Sequence, residues 1–487
     1  MESMAQLRSL LWQSPSEEGF VEILKLFHHW RGSTTLDTGI AYAMAHLEAW
    51  PDVLRSVDCK VIWPNFPKGE PLAGCSLVRT LAFITPTNHF IQKPHEWLKL
   101  EGMKTLMESP HLQHLTGLRL IGHPLQTQHR ELDPEPDRKQ LLECLIYSNG
   151  LPRLQRLELS ECYMDDEGMR LFAHSPLLRR LKSLKIQHGI GLFASQNGWN
   201  ALAESNAMAN LEELDLSSNN LGESIVRLVG SPYLKQLKAL TLSDYSWGSG
   251  ITKAVADANL PNLTSLAILN SNVDHKELST LANSTCQNQL TALNLNGSKF
   301  GATGLEILMR FPCIPRLISL SLEGCGLFVK QPAVFASISF SALKTCRLNS
   351  NPIRGGLSAL ALAGGLQNLE SLSLSSCELQ GAGFAAFLQS RVFPKLTHLY
   401  LDDNYIDDKA LTVMVSSNQL PQLRFLGLEL NRISDAGAVA LANSPHFSQL
   451  TTLLLDGCQL GDEGIRALNH SDHLPKLNKL SAKYSVF

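Results

Sequence analysis

From Leu154 to Leu477 leucines return in the frame LxxLxL every 26 or 27 residues, with one spacing of 30. Leu211–Leu221, LEELDLSSNNL, carries the frame most cleanly, and Leu317–Leu327, Leu369–Leu379, Leu396–Ile406 and Leu450–Leu460 repeat it. Leucines two residues apart lie on one side of an extended chain. The frame therefore predicts one short strand per repeat, with its leucines in the core and the residues between them facing out. After the last leucine and a two-residue spacer comes Asn219, Asn351, Asn404 or Asn431 in some copies and Cys162, Cys325, Cys377 or Cys458 in others. An Asn leaving a strand can satisfy buried backbone groups with its amide. A Cys fills the same small place as a weak donor.

The second half of each unit changes period. Ser434–Leu441, SDAGAVAL, and Asp462–Leu468, DEGIRAL, open with capping or acidic residues and continue with apolar residues three and four apart, which predicts a helix. Gly168, Gly304, Gly437 and Gly464 recur at one point of the unit, where close approach of two backbones is the expected reason. Strand, turn, helix and return fit one period, and stacked periods bury each other's apolar faces. The motif LxxLxLxx(N/C)xL resembles that of the leucine-rich repeat family in its strand-plus-helix, ribonuclease-inhibitor-like type, over about the last three quarters of the chain. That resemblance implies an α/β solenoid, a curved horseshoe with parallel strands on its concave face and helices on its convex face. First leucines from Leu115 to Leu477 mark 14 strands, and Val78–Phe83, VRTLAF, reads as one more, degenerate strand before them.

The ends depart from the repeat. Residues 17–31 and 38–57 carry apolar residues at helical spacing, and Trp12, Trp30, Trp50 and Trp63 all fall in the first 63 residues. The expected organisation is a helical N-terminal cap over residues 1–76 and a repeat array over 77–487. A charged surface loop is inserted near 127–139, around HRELDPEPDRK. The array ends at LNKLSAKYSVF without a further helix, which predicts a last strand that is a partly exposed edge or is covered by something else.

Composition narrows the partners. A net charge of -3 with 18% charged residues and no basic stripe argues against binding through nucleic-acid phosphates. No run of 18 apolar residues and no export signal is present, so a cytoplasmic protein without membrane association is expected. Asn262, Asn283 and Asn296, which match the glycosylation triplet, then read as chance. Four of ten cysteines occupy the turn position and Cys346 replaces a core leucine, which predicts reduced, buried thiols. Chemistry is sparse. His28 and His29 are adjacent and cannot share a helix face as a metal pair. CxxC, GxxxxGK[ST] and GxSxG patterns are missing, and Gly355-Gly356 and Gly364-Gly365 read as repeat punctuation. No catalytic residue, metal or cofactor is expected, and the protein is read as no enzyme.

What can carry function is the set of outward strand residues. Through the middle repeats these are small and polar, among them Ser265, Ala267, Ala292, Asn294, Ser319, Ser321, Ser371, Ser373 and Ser375. Toward the C-terminus they become His398, Tyr400, Asp402, Phe425, Glu429, Leu454 and Asp456, with Asp403 beside them. Aromatic and aliphatic side chains rimmed by carboxylates on adjacent strands suit a protein partner with a basic surface. Scattered exposed apolar residues are the plainer account of the same letters. Tyr245 and Trp247 form a weaker candidate, with Trp247 more simply a core replacement. The expected function is a non-enzymatic scaffold or regulator binding a protein through the concave face. The alternatives are a targeting arm for a small N-terminal catalytic or signalling module, and a small-ligand sensor, for which an open serine-rich arc offers no deep pocket.

Overall fold

The computed structural model describes residues 2–84, 98–123, 125, 138–187, 195–243, 250–327, 339–354, 357–360, 364–390, 393–416 and 418–483. Tyr245, Trp247, Gly355, Gly356 and residues 127–137 of the charged insertion lie outside these. The chain divides into two compact units, Met1–Lys238 with Asn259–Pro261, and Ala239–Ala258 with Asn262–Phe487.

The first unit opens with three helices, α1 (Glu2–Leu11), α2 (Glu17–His29) and α3 (Leu36–Leu47). The Ser16 hydroxyl caps α2 by accepting from the Gly19 N–H at 3.0 Å. Phe20, Ile23 and Phe27 are fully buried, and Trp30 sets its ring edge against Phe27 at 5.6 Å. Trp30, Trp50 and Trp63 are buried with them, whereas Trp12 is 81% exposed. Six parallel strands follow: β1 (Ser56–Asp58), β2 (Thr80–Ile84), β3 (Gly117–Ile121), β4 (Arg156–Ser160), β5 (Ser183–Gln187) and β6 (Glu213–Asp215). Each pairs with its sequence neighbour. The degenerate strand at Val78–Phe83 is β2. β1 precedes it, outside the leucine frame, with Val57 opposite Leu81.

The second unit carries ten more parallel strands: β7 (Ala239–Ser243), β8 (Ser265–Leu269), β9 (Ala292–Asn294), β10 (Ser319–Ser321), β11 (Thr345–Arg347), β12 (Ser371–Ser373), β13 (His398–Tyr400), β14 (Phe425–Gly427), β15 (Thr452–Leu454) and β16 (Lys479–Ser481). They too pair in chain order. Cys346 takes a leucine's place between Leu320 and Leu372 and is buried, as its position in the frame predicts.

The turn residue links one repeat to the next. Asn404 donates from its amide nitrogen to Leu374 O and Leu401 O, both at 2.9 Å, and its oxygen accepts from the N–H groups of Cys377 and Leu379 at 3.1 and 2.9 Å. Asn351 closes the same four bonds two repeats earlier. A Cys reproduces one of them. Cys162, Cys325, Cys377 and Cys458 donate to Leu120 O, Leu295 O, Leu348 O and Leu428 O at 3.1, 3.1, 3.2 and 3.2 Å. Burial pushes the Cys162, Cys325, Cys346 and Cys377 thiols up to about 12, so they stay protonated donors or inert core atoms.

The helices are joined by a second device. Asp408, at the start of the helix Asp408–Val415, reaches into the next repeat and accepts from Ser434 N–H, Ser434 Oγ and Gly437 N–H at 2.8, 2.6 and 3.1 Å. Asp435 does the same for Gly461 N–H and Gly464 N–H, and Asp166 for Ser195 and Gly198 N–H. A Cβ on Gly437 or Gly464 would stand 2.4 or 2.5 Å from that Asp oxygen. At Gly437 and Gly464 the recurring glycine is thus the space a neighbouring carboxylate needs to cap the helix, whereas at Gly304 the nearest atoms belong to the Phe300 side chain.

Candidate protein-binding site

Register places the outward residues of β12 to β16 in three rows. Ser371, His398, Phe425, Thr452 and Lys479 form the first, and Ser373, Tyr400, Gly427, Leu454 and Ser481 the second. Two residues further on, Ser375, Asp402, Glu429, Asp456 and Lys483 form the third. All eight residues singled out in the sequence therefore fall on three neighbouring repeats of one unit.

The aromatic side chains touch. Tyr400 and Phe425 have ring centroids 4.6 Å apart, and His398 lies 5.9 Å from Phe425 and 6.5 Å from Tyr400, both nearly parallel. Such offset stacks hold their rings in one place without a partner. His398 is exposed, while Tyr400, Phe425 and Leu454 are half-buried. Burial, and then the nearby Arg424, lower the His398 pKa, so its ring is neutral at pH 7 and adds no positive charge to the patch.

The carboxylates lie deeper in the bonding than the sequence suggests. Asp402 Oδ1 accepts from Glu429 N–H and its Oδ2 from the Ser375 hydroxyl, each at 3.1 Å. Asp456 accepts from the Ser481 hydroxyl at 2.8 Å and from Lys483 N–H at 2.6 Å. At the same place two and four repeats before Asp402, a neutral amide does this work. Asn349 Oδ1 accepts from the Ser373 hydroxyl and Ser375 N–H at 2.7 and 2.9 Å, and Asn296 Oδ1 from the Ser321 hydroxyl and Glu323 N–H, both at 2.8 Å. The turn needs an oxygen here and not a charge. Asp402 and Asp456 supply the oxygen and leave a negative charge besides.

Glu429 stands between them. Burial, then Asp402 and Asp456, with a hydrogen bond to Asp456, push its pKa above the usual carboxylate range. Asp456 is held below that range, because bonds from Lys483 N–H and the Ser481 hydroxyl outweigh the opposing effect of burial. Gly427 completes the arrangement. A Cβ there would meet Asp402 Oδ1 at 2.6 Å, so the glycine gives up its place to the Asp402 carboxylate, which leans into the row between Tyr400 and Leu454. Asp403, in the left-handed turn with φ of 52°, accepts from the Ser376 hydroxyl at 2.8 Å and is exposed at the edge of the patch.

A charged network in the first unit escapes the leucine frame. Arg119 and Lys185 both pair with Glu158, at 2.9 and 3.4 Å, and Arg156 and Arg79 flank Asp52 at 3.8 and 3.9 Å. The network borders a cavity of about 290 Å³ reaching Glu17, Thr80 and Gly117. Arg119, Arg156, Glu158 and Lys185 are readable as outward strand residues. Asp52 precedes every repeat, and no periodicity signals its place. Among the described residues, no three His, Cys, Asp or Glu side chains are grouped to hold a metal ion, and no helix is long and apolar enough to cross a membrane.

Comparison with known proteins places the repeat. A Leucine Rich Repeat family model matches residues 210–231, and a second Leucine Rich repeat model matches 365–388, 419–442 and 449–468. No curated protein matches the chain. Among solved structures, an internalin from Listeria monocytogenes is 18% identical with a TM-score of 0.42, covering 80% of this chain and 95% of its own. A chain of the yeast Rad7 and Elc1 complex is 16% identical with a TM-score of 0.47, covering 95% of this chain and 92% of its own. With a parallel strand, a turn Asn or Cys and a helix recurring through both units, and repeat models matched in each, the chain is a leucine-rich repeat protein of the strand-plus-helix, ribonuclease-inhibitor-like type.

Proposed function

We propose that the protein is a non-enzymatic interaction scaffold or regulator. It binds another protein with a basic surface through the open strand face formed by His398, Tyr400, Asp402, Asp403, Phe425, Glu429, Leu454 and Asp456. The observation that carries this reading is the contrast along one ladder. Asn296 and Asn349 make their inter-repeat bonds as neutral amides, while Asp402 and Asp456 make theirs as carboxylates beside three packed rings. Nothing in the turn requires the charge or the rings, and half-buried aromatics are the usual centre of a protein contact, with polar and charged groups at its rim. Exposed rim carboxylates speed the approach of a basic partner more than they hold it.

The test is capture of partners from the native host by the intact protein. Tyr400→Ala with Phe425→Ala is expected to lose the specific partner, and Ser265→Ala with Ser319→Ala, on the small polar strands, to keep it. An unchanged partner set in the aromatic double variant overturns the reading.

A further inference from the structure

We infer that this face recognises one arginine side chain of its partner, seated on the Asp402 carboxylate above Gly427, with its guanidinium against Tyr400 and Phe425. The inference rests on the scaffold reading above and names the chemistry that its site accepts.

The position follows from the rows. Tyr400 and Leu454 lie on strands two apart, so their Cα atoms are separated by about 10 Å, and Gly427 between them has no side chain. A row of full side chains would close this place. Here the leaning Asp402 carboxylate covers the glycine, which is buried beneath it, and takes the place of a side chain. Glu429 stands next to it in the third row, and the Tyr400–Phe425 stack forms the wall. A planar cation entering over Gly427 meets a carboxylate at its end, aromatic rings on one side and the Leu454 methyl groups on the other.

Arginine matches each part of that environment. Its guanidinium donates in a fork to one carboxylate or bridges two, stacks on an aromatic ring, and loses less hydration than an ammonium when it does so. Lysine satisfies the charge only. A neutral polar side chain leaves Asp402 and Glu429 opposed without a counter-charge. The same molecule shows the pairing on its outer surface, where the Arg432 guanidinium lies 4.6 Å from the centre of the Tyr405 ring.

The fold supplies its own control. Asn accepts the equivalent backbone N–H at positions 296 and 349, so Asp402→Asn keeps an oxygen for Glu429 N–H and turns its amide nitrogen to the Ser375 hydroxyl, which accepts instead of donating, while the charge is removed. The variant should unfold at the wild-type urea midpoint. The probe is a random-sequence peptide library displayed on phage and selected on the full chain. Wild type is expected to enrich peptides that share an arginine. A synthetic copy should bind Asp402→Asn about ten-fold more weakly, as suits loss of a charge-assisted bond, and its Arg→Lys form should bind wild type several-fold more weakly. Enriched peptides that lack arginine but need Tyr400 and Phe425 overturn the arginine inference and leave the scaffold reading standing. Selection that yields no shared arginine and is indifferent to Tyr400→Ala with Phe425→Ala overturns both. Equal affinity for wild type and Asp402→Asn at equal stability also overturns the inference.

Discussion

The residue that does most for this fold is the turn amide. Asn351 is fully buried and makes two donated and two accepted bonds, spanning two repeats. Asn351→Ala leaves those backbone groups without partners in a place water cannot reach, and is expected to destabilise the second unit by about 3 kcal/mol. Asn351→Cys should recover part of this, because four native cysteines make the donated bond from the same position. Urea midpoints of the three proteins check the order Asn, Cys, Ala. His123 is a second buried polar residue with a defined role. Its Nδ1 accepts from Leu98 N–H at 2.9 Å, so the proton sits on Nε2 and is donated to Phe83 O at 3.1 Å. Burial lowers its pKa to about 4, against an ordinary value of 6.5. The neutral ring belongs to the folded state, so its contribution is complete above pH 6.5 and lost as pH falls from there toward 4. The depression corresponds to about 3 kcal/mol at most. His123→Asn should flatten the fall in stability over that window, and equal slopes in the two proteins would refute a buried neutral ring.

At the scale of elements, the strand–turn–helix unit was legible because each of its parts has a period or a spacing. Leucines two apart gave the strand, and the Asn or Cys three residues on gave the exit. The helix was legible from its caps, but the reason for Gly437 and Gly464 was not. Close backbone packing was the expectation, and the atom actually in the way is a carboxylate from the preceding repeat, which a single unit read alone does not contain. β1 was illegible for a related reason. It is three residues long with one core side chain, Val57, and exists by pairing with β2. In the candidate site, the sequence identified the outward residues of β13 to β15, and register brought them together. It did not reveal that Asp402 and Asp456 are bonded into the ladder, because that bond is visible only beside Asn296 and Asn349 in the same role. The Asp408 staple is testable in this light. Asp408→Ala removes three bonds to the next helix and is expected to cost about 2 kcal/mol, while Gly437→Ala should cost a similar amount by driving a methyl group into the same carboxylate. If the two losses add fully in the double variant, the two sites are independent and the staple is refuted; a sum well below additive is the expected result.

At the scale of the molecule, charge is distributed against the overall balance. A chain with a net charge of only -3 gathers four carboxylates, Asp402, Asp403, Glu429 and Asp456, on one short stretch of strand face, while β7 to β12 of the same unit present mostly serine, alanine and threonine, with Arg347 among them. Lys479 and Lys483 offset part of this from the last strand, so the field is local. Such a field acts on encounter within a screening length of about 8 Å at physiological salt. Raising ionic strength should therefore slow association with a basic partner while changing dissociation little, since the packed rings hold the complex. Acid should act by a different route. Glu429, with its pKa raised between two other carboxylates, takes up a proton before an ordinary glutamate does as pH falls, and Asp456, held low, keeps its charge longest. Affinity for a basic peptide should accordingly begin to fall at a pH above the ordinary glutamate range, and Glu429→Gln should remove that first step while leaving the later loss at Asp456. Titration calorimetry from pH 7.5 to 4.5 on wild type and Glu429→Gln separates the two phases. A wild-type profile with the same onset as the variant would place the binding charge elsewhere on the molecule.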